Sequence, residues 1–144
     1  MSLEALYQEI ILDHYKNPRN FGKLDETRAR AHYENPSCGD QIDLQIIVNE
    51  NHIIEDIRFS GRGCAISQAS ASLMTEAVKG KSVDHALSLY RSFQSLLTGE
   101  GEIETDLGDL EALEGVKKFP VRVKCAMLAW TALKSLIDEE TTRS

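Results

Sequence analysis

Residues 41–60 read QIDLQIIVNENHIIEDIRFS, and this stretch decides the fold. In its first half apolar residues alternate with polar ones, which is the period of a strand with one buried face. The polar residues 49–51 predict a turn, and residues 53–60 predict a second strand with Ile53 and Phe59 on one face. The stretch therefore predicts an antiparallel meander with short loops.

The flanking residues predict one more strand and a series of helices. Because strands precede most of the helices, we expect an α+β fold, in which helices pack on one face of a small antiparallel sheet of about three strands. We expect a single domain over residues 1–144, with an acidic, glycine-rich segment at 98–118. The predicted elements are a helix ending at Asn17-Pro18, a strand at 29–33, and helices at 65–79, from Ser82, at 109–113 and from near Lys124.

Composition narrows the class of protein. The chain has 144 residues, 42% of them hydrophobic, which is enough for one core. Its formal net charge of −7 disfavours nucleic-acid binding, which needs an extensive basic surface. The sequence has neither the pattern of a signal peptide nor an apolar run long enough for a membrane span. With three cysteines, an odd number, we expect a soluble cytoplasmic protein with free or metal-bound thiols.

Each of the three cysteines lies where its sulfur can become reactive. Cys38 lies between Pro36 and Gly39, which predicts a turn. Cys64 and Cys125 each stand where a helical pattern begins, and the positive end of a helix favours thiolate over thiol. The pattern indicates metal or sulfur chemistry at a shared site. The alternative is that each cysteine is a small buried apolar residue.

Asp40, two residues after Cys38, is the nearest candidate for a fourth ligand. Three thiolates and one carboxylate form a tetrahedral set that suits Zn²⁺. Sulfur donors also suit iron–sulfur clusters, so the donor set leaves the metal open. Alternatively, Asp40 is a turn residue that bonds its own backbone.

Several positive charges precede Cys125 in this acidic chain, at Lys117, Lys118, Arg122 and Lys124. Nearby cations would offset the net charge of about −2 that three thiolates, one carboxylate and Zn²⁺ carry together. Arg122 is the best candidate for a supporting role, since its rigid fork can bond the neighbours of a sulfur ligand. His32 is close enough to Cys38 to be an additional ligand, but a surface position is the simpler interpretation.

Taken together, the cysteine segments resemble the IscU/SufU family of iron–sulfur cluster assembly proteins. The matching segments are NPSCGD at 35–40, GRGCAIS at 61–67, and Cys125 at the start of the last helix. The N-terminal helix and the two strands after Asp40 also fit. The resemblance implies a SufE/IscU-like fold and a zinc site formed by Cys38, Asp40, Cys64 and Cys125.

Two details resemble the SufU branch of that family. Lys124 replaces the histidine that precedes the third cysteine in scaffold-type members, and the segment 99–118 resembles a SufU insertion. The resemblance implies a zinc-dependent sulfurtransferase that accepts persulfide sulfur from a pyridoxal-phosphate (PLP) cysteine desulfurase of the SufS type and feeds the Suf machinery. The implied sulfur acceptor is Cys38, with Cys125 as the runner-up. The alternatives are a scaffold for a nascent [2Fe–2S] cluster and a purely structural zinc module.

Overall fold

The computed structural model describes residues 2–24, 30–35 and 39–143, with side chains described as far as residue 140. Three strands and four α-helices follow in the order that the sequence predicts, with a 3₁₀ helix before the last one. Their bounds are α1 Leu3–Lys16, β1 Ala31–Asn35, β2 Asp40–Val48, β3 Ile54–Arg62, α2 Ala65–Val78, α3 Val83–Thr98, the 3₁₀ helix Gly108–Lys118 and α4 Pro120–Arg143.

The strands form an antiparallel sheet in the order β1-β2-β3, which confirms the predicted α+β class. A bulge between Ile47 and Val48 shifts the register, so that Ile54 pairs with Val48. As a result Ile54 is fully buried, whereas Ile53 is only partly buried and lies outside the strand. The prediction that Ile53 belongs to the second strand was therefore wrong by one residue, because the bulge displaces the periodicity.

The sheet has one buried face. Alternate residues of β2, including Ile42 and Leu44, are fully buried, whereas Gln41 and Asp43 on the other face are partly exposed. Strand β2 packs against α4, and β3 packs against α2. Burial of each large apolar side chain contributes about 1.5–3 kcal/mol to folding. The alternation of apolar and polar residues along the strand thus correctly predicted that helices cover one face of the sheet.

Helix α4 begins at Pro120, four residues earlier than its apolar pattern predicts. Proline is favoured at the first position of a helix, because its fixed φ suits the helix and its missing N–H would have no partner there. Cys125 therefore lies more than one turn inside α4, and the expectation that it benefits from a helix N-terminus was wrong. Its place on a buried stripe with Leu128, Ala132 and Leu136 is confirmed.

The acidic segment after α3 packs on that helix. The Ser92 hydroxyl, which is buried, accepts hydrogen bonds from the backbone N–H groups of Glu104 at 3.0 Å and Thr105 at 3.2 Å. The 3₁₀ helix that follows is longer than the short helix predicted at 109–113. None of the described helices combines the length and the apolar character that a membrane span requires.

Candidate metal centre

Three of the four predicted ligands meet where the sheet joins the helices. Asp40 begins β2, Cys64 is the N-cap of α2, and Cys125 lies on α4. One donor atom from each residue lies within 4.8 Å of the other two. Asp40 and Cys125 are fully buried, and Cys64 is partly exposed. Cys38, the fourth predicted ligand, lies outside the described residues.

The carboxylate of Asp40 points to the buried face of the sheet, because it shares that face with Ile42 and Leu44. A buried carboxylate needs compensating partners. Its Oδ1 accepts a hydrogen bond of 2.8 Å from the backbone N–H of Cys64 at the start of α2. The positive end of a helix stabilises a nearby anion, and α2 has no acidic residue of its own in its first turn.

Gly63 lets the chain pass close to this carboxylate. A Cβ atom at residue 63 would lie 2.1 Å from Oδ1 of Asp40 and 2.8 Å from Oγ of Ser67. Any side chain would therefore push Asp40 away from the N-terminus of α2. A glycine is therefore needed before Cys64 for two reasons: a side chain at residue 63 would collide with Asp40, and the φ of +158° there is strained for other residues.

The spacing of the donors fits a tetrahedral ion. Zinc–sulfur and zinc–oxygen bond lengths place neighbouring sulfur and oxygen ligands about 3.6 Å apart. The Sγ atom of Cys64 lies 3.6 Å from Oδ2 of Asp40. Two cysteine sulfurs and one carboxylate therefore suit Zn²⁺, which would take one further ligand. Cys64, which carries one of the sulfurs, is partly exposed. The sulfur atoms also suit an iron–sulfur cluster.

Asn35 is a site residue that the sequence interpretation missed. It is 8% exposed, and its side-chain Nδ2 lies 4.0 Å from Sγ of Cys125 as a donor. It ends β1 and pairs with Asp40 across the hairpin. The signal was present in the segment 35–40, which was interpreted only as a turn around Cys38.

Arg122 and Cys64 line one open groove of about 450 Å³. Ile66, Val116 and Phe119 give this groove an apolar wall, and Phe119 is 60% exposed. Arg122 thus lies on the same groove as Cys64, and its supporting role stays a prediction. Lys124 is exposed, so its side chain faces away from the core that surrounds Cys125.

Among the described residues, His32 does not group with the donors Asp40, Cys64 and Cys125. It lies on β1, where Nε2 is 2.9 Å from Oε1 of Glu34 and Nδ1 is 2.8 Å from Oδ1 of Asp43. These two carboxylates, Glu34 first, raise the pKa of His32 above its usual range. The surface interpretation of this histidine is confirmed.

His14 is a buried histidine that joins α1 to α2. Its Nδ1 lies 2.7 Å from Oγ of Ser72, and its Nε2 lies 3.4 Å from Oε1 of Glu76. The Ser72 hydroxyl oxygen also accepts a hydrogen bond from the backbone N–H of Arg19. The hydroxyl hydrogen of Ser72 is thus available to Nδ1 of His14. Burial, followed by the charge of Arg19, lowers the pKa of His14.

Comparison with known proteins agrees with this geometry. Residues 6–139 match the model of the NifU-like N terminal domain. The zinc-dependent sulfurtransferase SufU of Bacillus subtilis is 48% identical over 96% of this chain and 94% of its own length. The iron–sulfur cluster assembly scaffold protein IscU of Streptococcus pyogenes is 47% identical over 94% of this chain and 84% of its own length.

A solved structure adds a three-dimensional match. A Fervidobacterium islandicum protein, described as an iron–sulfur cluster assembly scaffold for the SUF system, superposes with a TM-score of 0.83 at 34% identity. The alignment covers 92% of this chain and 97% of that one. The chain therefore belongs to the NifU-like N-terminal domain family and, within it, to the group of IscU and SufU proteins.

Proposed function

We propose that this protein is a zinc-dependent sulfurtransferase that accepts persulfide sulfur from a PLP-dependent cysteine desulfurase of the SufS type. The observation that carries the proposal is that donor atoms of Asp40, Cys64 and Cys125 lie within 4.8 Å of one another. Asp40 is two residues after Cys38 in the sequence. The 48% identity to a zinc-dependent sulfurtransferase supports it.

In the proposed site Cys38, Asp40, Cys64 and Cys125 hold Zn²⁺. When bound, Zn²⁺ stabilises the thiolate forms of its cysteine ligands. The chain itself keeps Asp40 in place through the backbone N–H of Cys64, and it buries Cys125 within α4. Of Asp40, Cys64 and Cys125, only Cys64 is partly exposed. Solvent and a partner therefore approach these three donors from the side on which Cys64 lies.

Cys38 is the proposed acceptor. Its thiolate attacks the outer sulfur of the persulfide on the desulfurase, which forms a new S–S bond and breaks the old one. The desulfurase cysteine leaves as a thiolate, so one sulfur atom moves without net oxidation or reduction. The product is a persulfide on Cys38, which we expect to pass its sulfur to the Suf cluster-assembly machinery in the cytoplasm. Cys125 is the second candidate acceptor, although it is buried.

Arg122 has a supporting role in the proposed reaction. It lines the open groove beside Cys64, where its cation would attract an anionic persulfide and Phe119 would contact apolar atoms of the partner. This placement brings charge and apolar surface to the same edge of the site.

Trapping of the transferred sulfur tests the proposal. The protein is incubated with a SufS-type desulfurase and cysteine, persulfides are alkylated, and the modified cysteine is located by peptide mass spectrometry. We expect the label on Cys38, no label in Cys38→Ala, and faster cysteine turnover with catalytic amounts of the wild type. A label confined to Cys125 would transfer the acceptor role to that residue, and normal sulfur uptake by Cys38→Ala would overturn the assignment of Cys38.

A scaffold for a nascent [2Fe–2S] cluster is the second candidate function, because the IscU of S. pyogenes is 47% identical and is named as a scaffold. Metal analysis of anaerobically purified protein separates the two candidates. One equivalent of zinc without a visible chromophore would support the sulfurtransferase. A coloured sample that contains iron and sulfide would support the scaffold.

A further inference from the structure

We infer that Asn35 is a positioning residue that holds the sulfur of Cys125 in the metal centre through its side-chain amide. The inference rests on the metal site of the proposed function. It concerns a residue outside the four expected ligands, three positions before Cys38 in the sequence.

Asn35 is anchored at both its backbone and its side chain. Its carbonyl oxygen accepts the backbone N–H of Gly39 at 2.8 Å. Its strand pairing with Asp40 places both side chains on the buried face of the sheet. From that position Nδ2 reaches Sγ of Cys125, which comes from the opposite layer of the fold at a sequence separation of 90 residues.

The chemistry of the contact suits a thiolate ligand. An amide N–H is a hydrogen-bond donor, and a buried one costs free energy unless it meets an acceptor. Hydrogen bonds to a charged acceptor are shorter and stronger than those to a neutral one. We therefore expect the 4.0 Å contact to contract once Cys125 binds metal as a thiolate. The donor then fixes the direction of the sulfur and withdraws electron density from it.

The burial pattern supports a role at the sulfur rather than at the surface. Asn35 is 8% exposed and Cys125 is 0% exposed, so the contact is shielded from water. Lys124, the cation next to Cys125 in sequence, is exposed. An uncharged donor at Asn35 thus stabilises the buried thiolate from the sheet side without the burial of a second charge.

Cobalt and zinc binding by the full-length protein test the inference. Asn35→Leu keeps the branched shape and removes the donor, and Asn35→Ala serves if the leucine variant fails to fold. Both variants retain the backbone hydrogen bond from Gly39 to the carbonyl of residue 35. Gln45→Met is the matched control, since Gln45 is a buried amide of β2 whose Oε1 accepts the backbone N–H of Leu24. Chelator competition gives the Zn²⁺ affinity, and the sulfur-to-Co²⁺ charge-transfer band reports on the thiolates.

We expect the Asn35 variant to bind Zn²⁺ about 10–100-fold more weakly, as is typical when the hydrogen-bond partner of a ligand is lost. We also expect its charge-transfer band to move to lower energy, because the sulfur loses a donor. The control should change neither property. An unchanged band and affinity in a folded Asn35 variant would overturn this inference alone. If the wild type bound neither ion, the proposed metal site would be overturned, and this inference with it.

Discussion

The two oxygen atoms of Asp40 contact two different groups of Cys64. Oδ1 accepts the backbone N–H of Cys64 at 2.8 Å, and Oδ2 lies 3.6 Å from its Sγ. One contact fixes the carboxylate at the start of α2, and the other leaves an oxygen atom beside the sulfur. The same side chain thus orients the centre and supplies a donor to it.

Asp40→Asn separates these two roles. The variant keeps an oxygen acceptor for the N–H of Cys64 but loses the negative charge that a Zn²⁺ ligand provides. We expect its Zn²⁺ affinity to fall at least as far as the roughly 10–100-fold that loss of an outer hydrogen-bond partner causes. Chelator competition measures this change. Asp43→Asn, on the partly exposed face of the same strand, should bind Zn²⁺ as the wild type does; equal affinities for both variants would contradict the role of Asp40.

Gly63→Ala should disturb the centre through its new Cβ atom and through backbone strain, because residue 63 has a φ of +158°. The new Cβ would lie 2.1 Å from Oδ1 of Asp40, so the strand and the helix would have to separate. We expect a loss of about 1–3 kcal/mol in the free energy of unfolding, as for other overpacked sites, together with weaker metal binding. Denaturant titration measures the first effect.

Gly115→Ala is the control for Gly63→Ala, because no heavy atom lies within 4 Å of the Cβ position there. This variant should keep the stability of the wild type. If both substitutions changed stability equally, close packing of Gly63 against Asp40 would not explain the effect.

His14 should make the protein less stable in mild acid. Because burial lowers its pKa in the folded chain, the unfolded chain takes up a proton first as the pH falls through 6.5. Stability should therefore decrease below that pH and level off below the pKa of the folded state. Melting temperatures between about pH 8 and pH 5 report this loss.

In His14→Gln the part of the acid dependence that His14 causes should disappear. Arg19, Glu76, Asp13 and Asp109 act on the histidine electrostatically, so they stay unchanged in this comparison. His85→Gln, at an exposed position of α3, is the matched control. An unaltered acid dependence in His14→Gln would show that other groups cause it.

His32 should change the stability with pH in the opposite direction to His14. Its two carboxylate partners raise its pKa, so its contribution to stability is complete below pH 6.5 and is lost as the pH rises through the pKa of the folded state. We expect wild type and His32→Gln to differ most at low pH and to converge at high pH in thermal unfolding. A difference that grew with pH would contradict the pairing with Glu34 and Asp43.

The sequence predicted the sheet and most helices because their periodicity is local. Residues 41–46 of β2 alternate between polar and apolar, and Gly63 separates β3 from α2. The start of α4 was misplaced, since apolar spacing carries no information on its first turn, whereas Pro120 does. The bulge at Ile47 was also beyond local reasoning, because it appears only when two strands pair.

For the centre, the sequence supplied the residues but not their contacts. Asp40, Cys64 and Cys125 were predicted from residue type and from the family resemblance, and the structure brings them together. The amide of Asn35 could not be assigned, because its contact with Cys125 depends on how α4 packs across the sheet. A contact between two distant segments depends on how the whole chain packs, and the sequence of either segment alone does not reveal it.

The position of Cys125 couples the centre to the hydrophobic core. Its sulfur lies on the stripe of α4 that also contains Leu128, Ala132 and Leu136, all of which are buried. An ion held by that sulfur would be bound more tightly by the native chain than by the unfolded one, so occupancy would raise the melting temperature. Removal of the ion by a chelator would then lower the melting temperature, so thermal stability would report whether the centre is occupied.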